Sequence, residues 1–114
     1  MPDKRKTKRR HIIYYLRVLD RKTNELTGQL VDITTEGMKL ISENPIEPDT
    51  FLQLKMLLPE DINRKSEISF DVHTMWCKRD INPNFFSIGF EFADILQEDV
   101  NIIKNLIYDF SFRD

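Results

Sequence analysis

Two short stretches of the sequence carry residue types that could bind an anionic ligand. The first is "RKTKRR", residues 5–10, and the second is "DITTEG", residues 32–37. Arginine engages phosphate oxygens in bidentate fashion and also stacks on planar rings. A carboxylate and a hydroxyl beside a glycine offer polar atoms and a backbone that a ligand can approach closely. We therefore expect the two stretches to form one anion-binding site.

Positive charge is concentrated at the N-terminus. The 114 residues carry a formal net charge of -2. Residues 1–10 hold six Lys or Arg against one Asp, a net charge of +5, whereas the other 104 hold eleven basic and eighteen acidic residues, a net charge of -7. A basic block of this kind attracts phosphates or an acidic membrane surface. We divide the chain into a flexible basic arm, residues 1–11, and one folded domain, residues 12–114.

The composition favours a cytoplasmic protein. The length fits a single domain with one hydrophobic core. The one cysteine, Cys77, excludes an internal disulfide and fits a reducing compartment. The apolar run after the basic start is too short for a secretory signal, and no stretch is long enough to span a bilayer. We predict a cytoplasmic location and no membrane span.

Apolar side chains with a two-residue period predict a series of antiparallel strands. In chain order these are Ile12 to Asp20, "LTGQLV", a strand around Met38 and Leu40, "FLQLKMLL", Ile68 to Trp76, and "FFSIGFEF". The first two are expected to pair across a short turn. The alternation places Trp76 in the core, together with the Phe residues between positions 86 and 92.

The period changes to three and four residues near the C-terminus, which predicts an amphipathic helix. The apolar positions with this spacing are Leu96, Val100, Ile103, Ile107 and Phe110. Asp94 and Gln97 resemble a capping pair at the helix start. Strands at short spacing that end in one helix predict a small closed barrel, mainly β, with the helix over an open end or an edge.

The remaining polar residues form no catalytic or metal-binding pattern. His73 and Cys77 share one face of a predicted strand, but two candidate ligands do not make a zinc site, and neither CxxC nor HExxH occurs. No nucleophile has an obvious base partner. Glu98 and Asp99 are explained by solvation and the helix dipole. We therefore expect no enzyme, no catalytic residue, no metal and no cofactor.

The two basic and polar stretches resemble the two motifs of the PilZ domain family. Arg5 and Arg9 match its RxxxR element, and Asp32, Thr34 and Gly37 match [DN]xSxxG, with Thr where the family usually has Ser. A basic start before the first strand, a Trp in a late strand and a glycine-containing strand before a terminal helix are also similar. The resemblance covers essentially the whole chain.

The resemblance implies a six-stranded antiparallel PilZ-type β-barrel with a C-terminal α-helix, and a bacterial receptor for the second messenger cyclic di-GMP. The ligand-binding residues that it implies are Arg5, Arg9, Arg10, Asp32, Thr34 and Gly37. A second basic register, Lys6 with Arg10, has the same spacing and stays open. Asp32 would accept hydrogen bonds from guanine, and the arm would close over the ligand on the barrel surface.

The resemblance also implies a protein partner that reads the bound state, in motility, adhesion or polysaccharide control. Binding would order the arm, so that the partner could distinguish the two states. One alternative is a PilZ-like adaptor that binds no nucleotide and acts through protein contacts. Another is nonspecific binding of nucleic acid or anionic membrane by the arm. The leading interpretation includes no specific nucleic acid.

Overall fold

The computed structural model describes residues 16–58 and 65–110, which form six β-strands and one α-helix. The strands β1 to β6 and the helix α1 span, in chain order, Arg17–Asp20, Leu26–Ile33, Gly37–Ser42, Phe51–Leu57, Glu67–Arg79, Phe86–Ile95 and Gln97–Phe110. The predicted boundary between residues 11 and 12, and the first residues of the predicted first strand, lie outside these ranges.

The six strands form a closed antiparallel barrel. Their order around the barrel is β1-β2-β3-β6-β5-β4, and the pairing of β1 with β4 completes the ring. β1 and β2 pair as predicted, across a short turn. The segment between β3 and β4 contains Pro45 and Pro48, which cannot donate to a ladder. The predicted six-stranded antiparallel β-barrel with a C-terminal helix is confirmed.

One apolar core fills the barrel. The apolar strand side chains that are at most 1% exposed are Val18, Leu30, Leu40, Leu54, Met56, Ile68, Phe70, Val72 and Ile88. The rings of Phe70 and Phe92 meet edge to face, with centroids 5.1 Å apart. Full burial of one such side chain stabilises the fold by about 1.5–3 kcal/mol. The core therefore gives the barrel surface a rigid frame.

Helix α1 packs on this core through Ile103 and Leu106, which are both fully buried. The predicted capping pair is wrong, because β6 continues to Ile95 and so includes Asp94. The helix begins at Gln97, and the carbonyl of Leu96 accepts the backbone N–H of Asp99 at 2.9 Å. Leu96 itself is 64% exposed, so it does not belong to the buried stripe. Within residues 16–58 and 65–110, no helix is long and apolar enough to cross a membrane.

An ion pair joins the segment before β5 to the start of α1. Lys65 Nζ lies 2.7 Å from Asp99 Oδ1 and 3.1 Å from Glu98 Oε2. The sequence predicts both carboxylates to be solvated, which is wrong for Asp99, since its side chain is 2% exposed. Hydrogen bonds to Asp99 and then to Glu98 raise the pKa of Lys65. The pair supplies a partner for a carboxylate that the helix places in the protein interior.

Candidate functional site

A surface pocket of about 390 Å³ lies where the turn between β2 and β3 meets β5 and β6. Its lining includes Asp32, Thr34 and Gly37, the three predicted ligand-binding residues in the described part of the chain. Met75 and Trp76 contribute from β5, and Glu91 contributes from β6. The structure thus brings residues from three distant segments to the place that the second motif predicts.

A β-bulge turns Asp32 toward solvent. Leu30 pairs with Leu40, and Asp32 pairs with Lys39, so that Val31 is one extra residue in β2. Without that residue, Asp32 would point inward like the buried Leu30, because side chains alternate along a strand. The Asp32 carboxylate instead is exposed at the pocket, where its Oδ1 accepts the backbone N–H of Ile33 at 3.0 Å.

The hydroxyl of Thr34 shapes the turn between β2 and β3. Its Oγ1 accepts the backbone N–H of Glu36 at 3.1 Å and that of Gly37 at 3.3 Å. The backbone N–H of Thr34 in turn donates to the carbonyl of Gly37 at 2.9 Å. The oxygen of this hydroxyl therefore stabilises the turn by accepting both N–H groups. The hydroxyl hydrogen is still able to donate.

Position 37 needs a glycine because β6 lies very close to β3 there. The sequence suggested that a ligand approaches the backbone closely at this glycine, and no glycine in the described residues has a positive φ. Gly37 pairs with Glu91, and a Cβ atom on Gly37 would collide with the carbonyl oxygen of Phe90. A side chain here would push β3 away from β6. The lack of a side chain at Gly37 therefore allows β3 and β6 to pair along this wall of the pocket.

Trp76 lies on the outer surface, so its prediction as a core residue is wrong. Thr74 pairs with Phe90 and Trp76 pairs with Gly89, which makes Met75 an extra residue in β5. This second bulge reverses the alternation, and Trp76 is 39% exposed. Among the phenylalanines predicted to be core residues, Phe90 is 4% exposed, and Phe86 and Phe92 pack half-buried against the core.

The described lining of the pocket is acidic. Asp32, Glu36 and Glu91 contribute three carboxylates, and Lys39 contributes one ammonium group. An anionic ligand would therefore need further positive charge close by. The predicted residues Arg5, Arg9 and Arg10, as well as the alternative Lys6, lie outside the described residues.

The first described residues approach the pocket. The carbonyl of Leu16 accepts the backbone N–H of Leu30 at 2.8 Å, and Arg17 pairs with Gln29. Because β1 and β2 are antiparallel, the N-terminal end of β1 is directed toward the end of β2 that carries Asp32. Asp32 lies two residues beyond Leu30, about 7 Å along the strand. The described chain thus begins at the end of the barrel that carries the pocket.

His73 and Cys77 lie on opposite faces of β5, because the bulge at Met75 separates them. The sequence expectation of a shared face is therefore wrong. His73 stacks on Phe51, with centroids 4.6 Å apart, and its Nε2 lies 3.1 Å from Asp49 Oδ1. Cys77 packs half-buried against the core. In the described part of the chain, no three His, Cys, Asp or Glu residues are grouped to hold a metal ion.

Three solved structures are similar to this barrel. The Bacillus subtilis inhibitor of motility (MotI/DgrA) has a TM-score of 0.70 at 14% identity, over 92% of this chain and 53% of that chain. MrkH of K. pneumonia in its apo state has a TM-score of 0.67 at 17% identity, over 89% and 47%. The PilZ domain of YcgR from Escherichia coli, with c-di-GMP, has a TM-score of 0.58 at 13% identity, over 83% and 79%.

These likenesses concern the fold, and this chain spans about half of the length of the first two proteins. No curated protein sequence matches the chain significantly. The model of the PilZ domain matches residues 3–109. That range contains both motifs and every strand of the barrel. Because it also covers most of the sequence, the chain belongs to the PilZ domain family.

Proposed function

We propose that the chain is a receptor domain for cyclic di-GMP in the bacterial cytoplasm. The observation that carries this proposal is the pocket, which unites Asp32, Thr34 and Gly37 with the outward indole of Trp76. The pocket lies beside the end of the barrel at which the described chain begins, at Leu16. A similar PilZ domain, that of YcgR, was solved with c-di-GMP, which supports the same ligand class here.

One guanine is recognised by its edge and by its face. The exposed carboxylate of Asp32 accepts hydrogen bonds from guanine N1–H and the exocyclic amine. The indole of Trp76 lies in the same pocket and offers a flat aromatic surface. Stacking of a base on an aromatic side chain contributes about 1–3 kcal/mol. The edge contact selects guanine, and the stacking contact selects a flat ring.

The phosphates are held by the basic arm. Arg5 and Arg9 bind them in bidentate fashion or stack on the bases, and Arg10 adds a further contact. Arg9 is seven residues before Leu16, so it can reach at most about 25 Å from that residue. The net charge of +5 in residues 1–10 offsets the acidic lining and the two phosphate charges together. Binding therefore requires both motifs.

The closure of the basic arm over the bound ligand is the change that signals the ligand-bound state. Fixing each arm residue costs roughly 1–2 kcal/mol of backbone entropy, which ligand contacts have to exceed. A partner protein in motility, adhesion or polysaccharide control then distinguishes the closed arm from the open one.

A second candidate function is an adaptor that binds no nucleotide. The observation that favours it is the excess of carboxylates in the described pocket lining, which repels a dianion. In that function the basic arm meets an acidic protein partner directly.

Calorimetry with cyclic di-GMP distinguishes the two functions. The receptor gives a heat of binding and a higher melting temperature, because a ligand that binds only the folded state stabilises it. Linear dinucleotide and GTP serve as controls and bind more weakly. No heat and no melting shift at high micromolar ligand would instead support the adaptor. Affinity that falls steeply with salt without any preference for guanine would indicate nonspecific anion binding.

A further inference from the structure

We propose that Gly89 is a positioning residue of the pocket, since it allows the indole of Trp76 to lie flat against β6 as the surface on which a base stacks. This inference rests on the proposed function. In this inference, a residue without a side chain determines the orientation of a ligand-binding side chain, the indole of Trp76.

Gly89 is buried although it faces outward. Its neighbours Ile88 and Phe90 point into the core, so alternation directs Gly89 to the outer surface of β6. Trp76 pairs with Gly89 across the ladder. A Cβ atom on Gly89 would overlap with Cε2, Nε1 and Cζ2 of the indole. The indole therefore covers Gly89, at a distance that any other residue would prevent.

The other groups around the indole keep it in this position. The bulge at Met75 directs Trp76 outward over β6, and Lys78 Nζ lies 5.3 Å from the centre of its ring. A lysine ammonium at this distance attracts the face of an aromatic ring. Trp76 nevertheless remains 39% exposed. One part of the indole is thus fixed on the strand, and another part is accessible to a ligand.

Gly89 differs in this respect from Gly37, which also lines the pocket. A side chain at Gly37 would collide with backbone, the carbonyl oxygen of Phe90, and would disturb the barrel itself. A side chain at Gly89 would collide with a side chain that can rotate away. Substitution of Gly89 should therefore tilt the indole and leave the barrel in place. Base stacking would be lost, while the edge contact of Asp32 would be retained.

A double-mutant cycle on the whole 114-residue chain tests this inference. Gly89→Ala and Trp76→Ala should each weaken cyclic di-GMP binding by about tenfold, as expected for the loss of one stacked base. The double variant should bind as well as Trp76→Ala alone, because the added methyl group then has no indole to displace. An equal loss from Gly89→Ala in both backgrounds would overturn the inference.

Fluorescence without ligand supplies an independent measurement, since Trp76 is the one tryptophan of the sequence. Gly89→Ala should shift the Trp76 emission to the red and increase its quenching by acrylamide. Gly28→Ala is the matched control, because its Cβ would approach the carbonyl oxygen of Ile41 to 2.7 Å, away from this pocket. It should lower the melting temperature without shifting the emission. Unchanged emission in Gly89→Ala would overturn the inference whatever the ligand.

The two proposals fail in different ways. Absence of cyclic di-GMP binding by the unmodified protein overturns the proposed function, and Gly89 is then judged by the emission of Trp76 alone. If Gly89→Ala does not fold by itself, the variant with both Gly89→Ala and Trp76→Ala decides. Recovery of the fold supports a collision with the indole, and failure to recover it overturns that assignment.

Discussion

The Asp32 carboxylate shows how one residue divides its hydrogen-bonding capacity. Its Oδ1 holds the backbone N–H of Ile33 at 3.0 Å, while the group remains exposed at the pocket. A carboxylate has about four acceptor positions, so this bond leaves capacity for the two donors of a guanine edge. The side chain is therefore oriented by its own backbone before a ligand arrives.

Asp32→Ala should lower the affinity for cyclic di-GMP by about 10- to 100-fold, because a bidentate contact with a base edge is worth about 1–3 kcal/mol. The affinity for cyclic di-AMP should not fall, since adenine lacks the matching donor pair and the substitution removes a negative charge from an acidic lining. Calorimetry with both dinucleotides measures the difference. Glu43→Ala, at an exposed carboxylate outside the pocket, is the control. Equal losses for both ligands would contradict the role of Asp32.

Two strand irregularities determine which side chains reach the pocket. The extra residues Val31 and Met75 turn Asp32 and Trp76 to the outer surface. A period-two pattern predicts the strands themselves, because burial of one face imposes it. It does not predict a bulge, since neither Val31 nor Met75 is a residue type that marks one. For that reason the sequence predicted Trp76 inside and placed His73 with Cys77.

The residue at which α1 begins could also not be predicted from the sequence pattern. Asp94 followed by Gln97 has the composition of a cap, but β6 pairs with β5 as far as Ile95 and takes Asp94 into the ladder. Tertiary pairing thus decides a boundary that local propensity leaves open. The same limit applies to Asp99, whose burial depends on Lys65, more than thirty residues earlier in the chain.

Lys65→Met should destabilise the protein by about 1–2 kcal/mol. The reason is the loss of a partner for the buried carboxylate of Asp99, partly offset by the helix N-terminus, which favours negative charge. The pKa of Lys65 is raised in the folded state, so its contribution is complete below the unfolded value of 10.5 and is lost as the pH rises through the higher folded value. Urea denaturation at pH 7 and above pH 10.5 measures both effects.

The variant should therefore show a smaller loss of stability above pH 10.5 than the unmodified protein. Lys104→Met is the control, because Lys104 is an exposed lysine on the same helix. It should leave the free energy of unfolding within about 0.5 kcal/mol of the original value. An equal pH dependence in all three proteins would show that the ion pair does not contribute to stability.

At the scale of the whole molecule, charge is divided between one end of the chain and the rest. Residues 1–10 carry +5 and the remaining residues carry -7. This division of charge is visible in the sequence itself. The sequence also predicted the second motif as a binding site, and the structure places Asp32, Thr34 and Gly37 in the pocket. How the basic residues contact a ligand could not be derived from their spacing, because Arg5 with Arg9 and Lys6 with Arg10 are equally separated.

Arg9→Ala should abolish the binding of cyclic di-GMP without changing the fold, because a bidentate cation is lost from a site whose described lining is acidic. Calorimetry measures the binding, and far-ultraviolet circular dichroism and thermal melting monitor the fold. Lys22→Ala, at an exposed position in the turn between β1 and β2, removes the same charge elsewhere. Retained affinity in Arg9→Ala would show that the assignment of Arg9 to the ligand is wrong.

The closed ring of strands limits how another protein can pair with this domain. Each of the six described strands has a hydrogen-bonded neighbour on both sides. None of the described strands is therefore an edge strand, although residues 75–79 of β5 pair only with β6. A partner finds little free edge in this part of the chain at which to add a strand of its own, which is a common way for proteins to dock. A protein that binds this barrel must then contact mainly its side chains, so that substitutions outside the core can change the binding surface while the barrel stays intact.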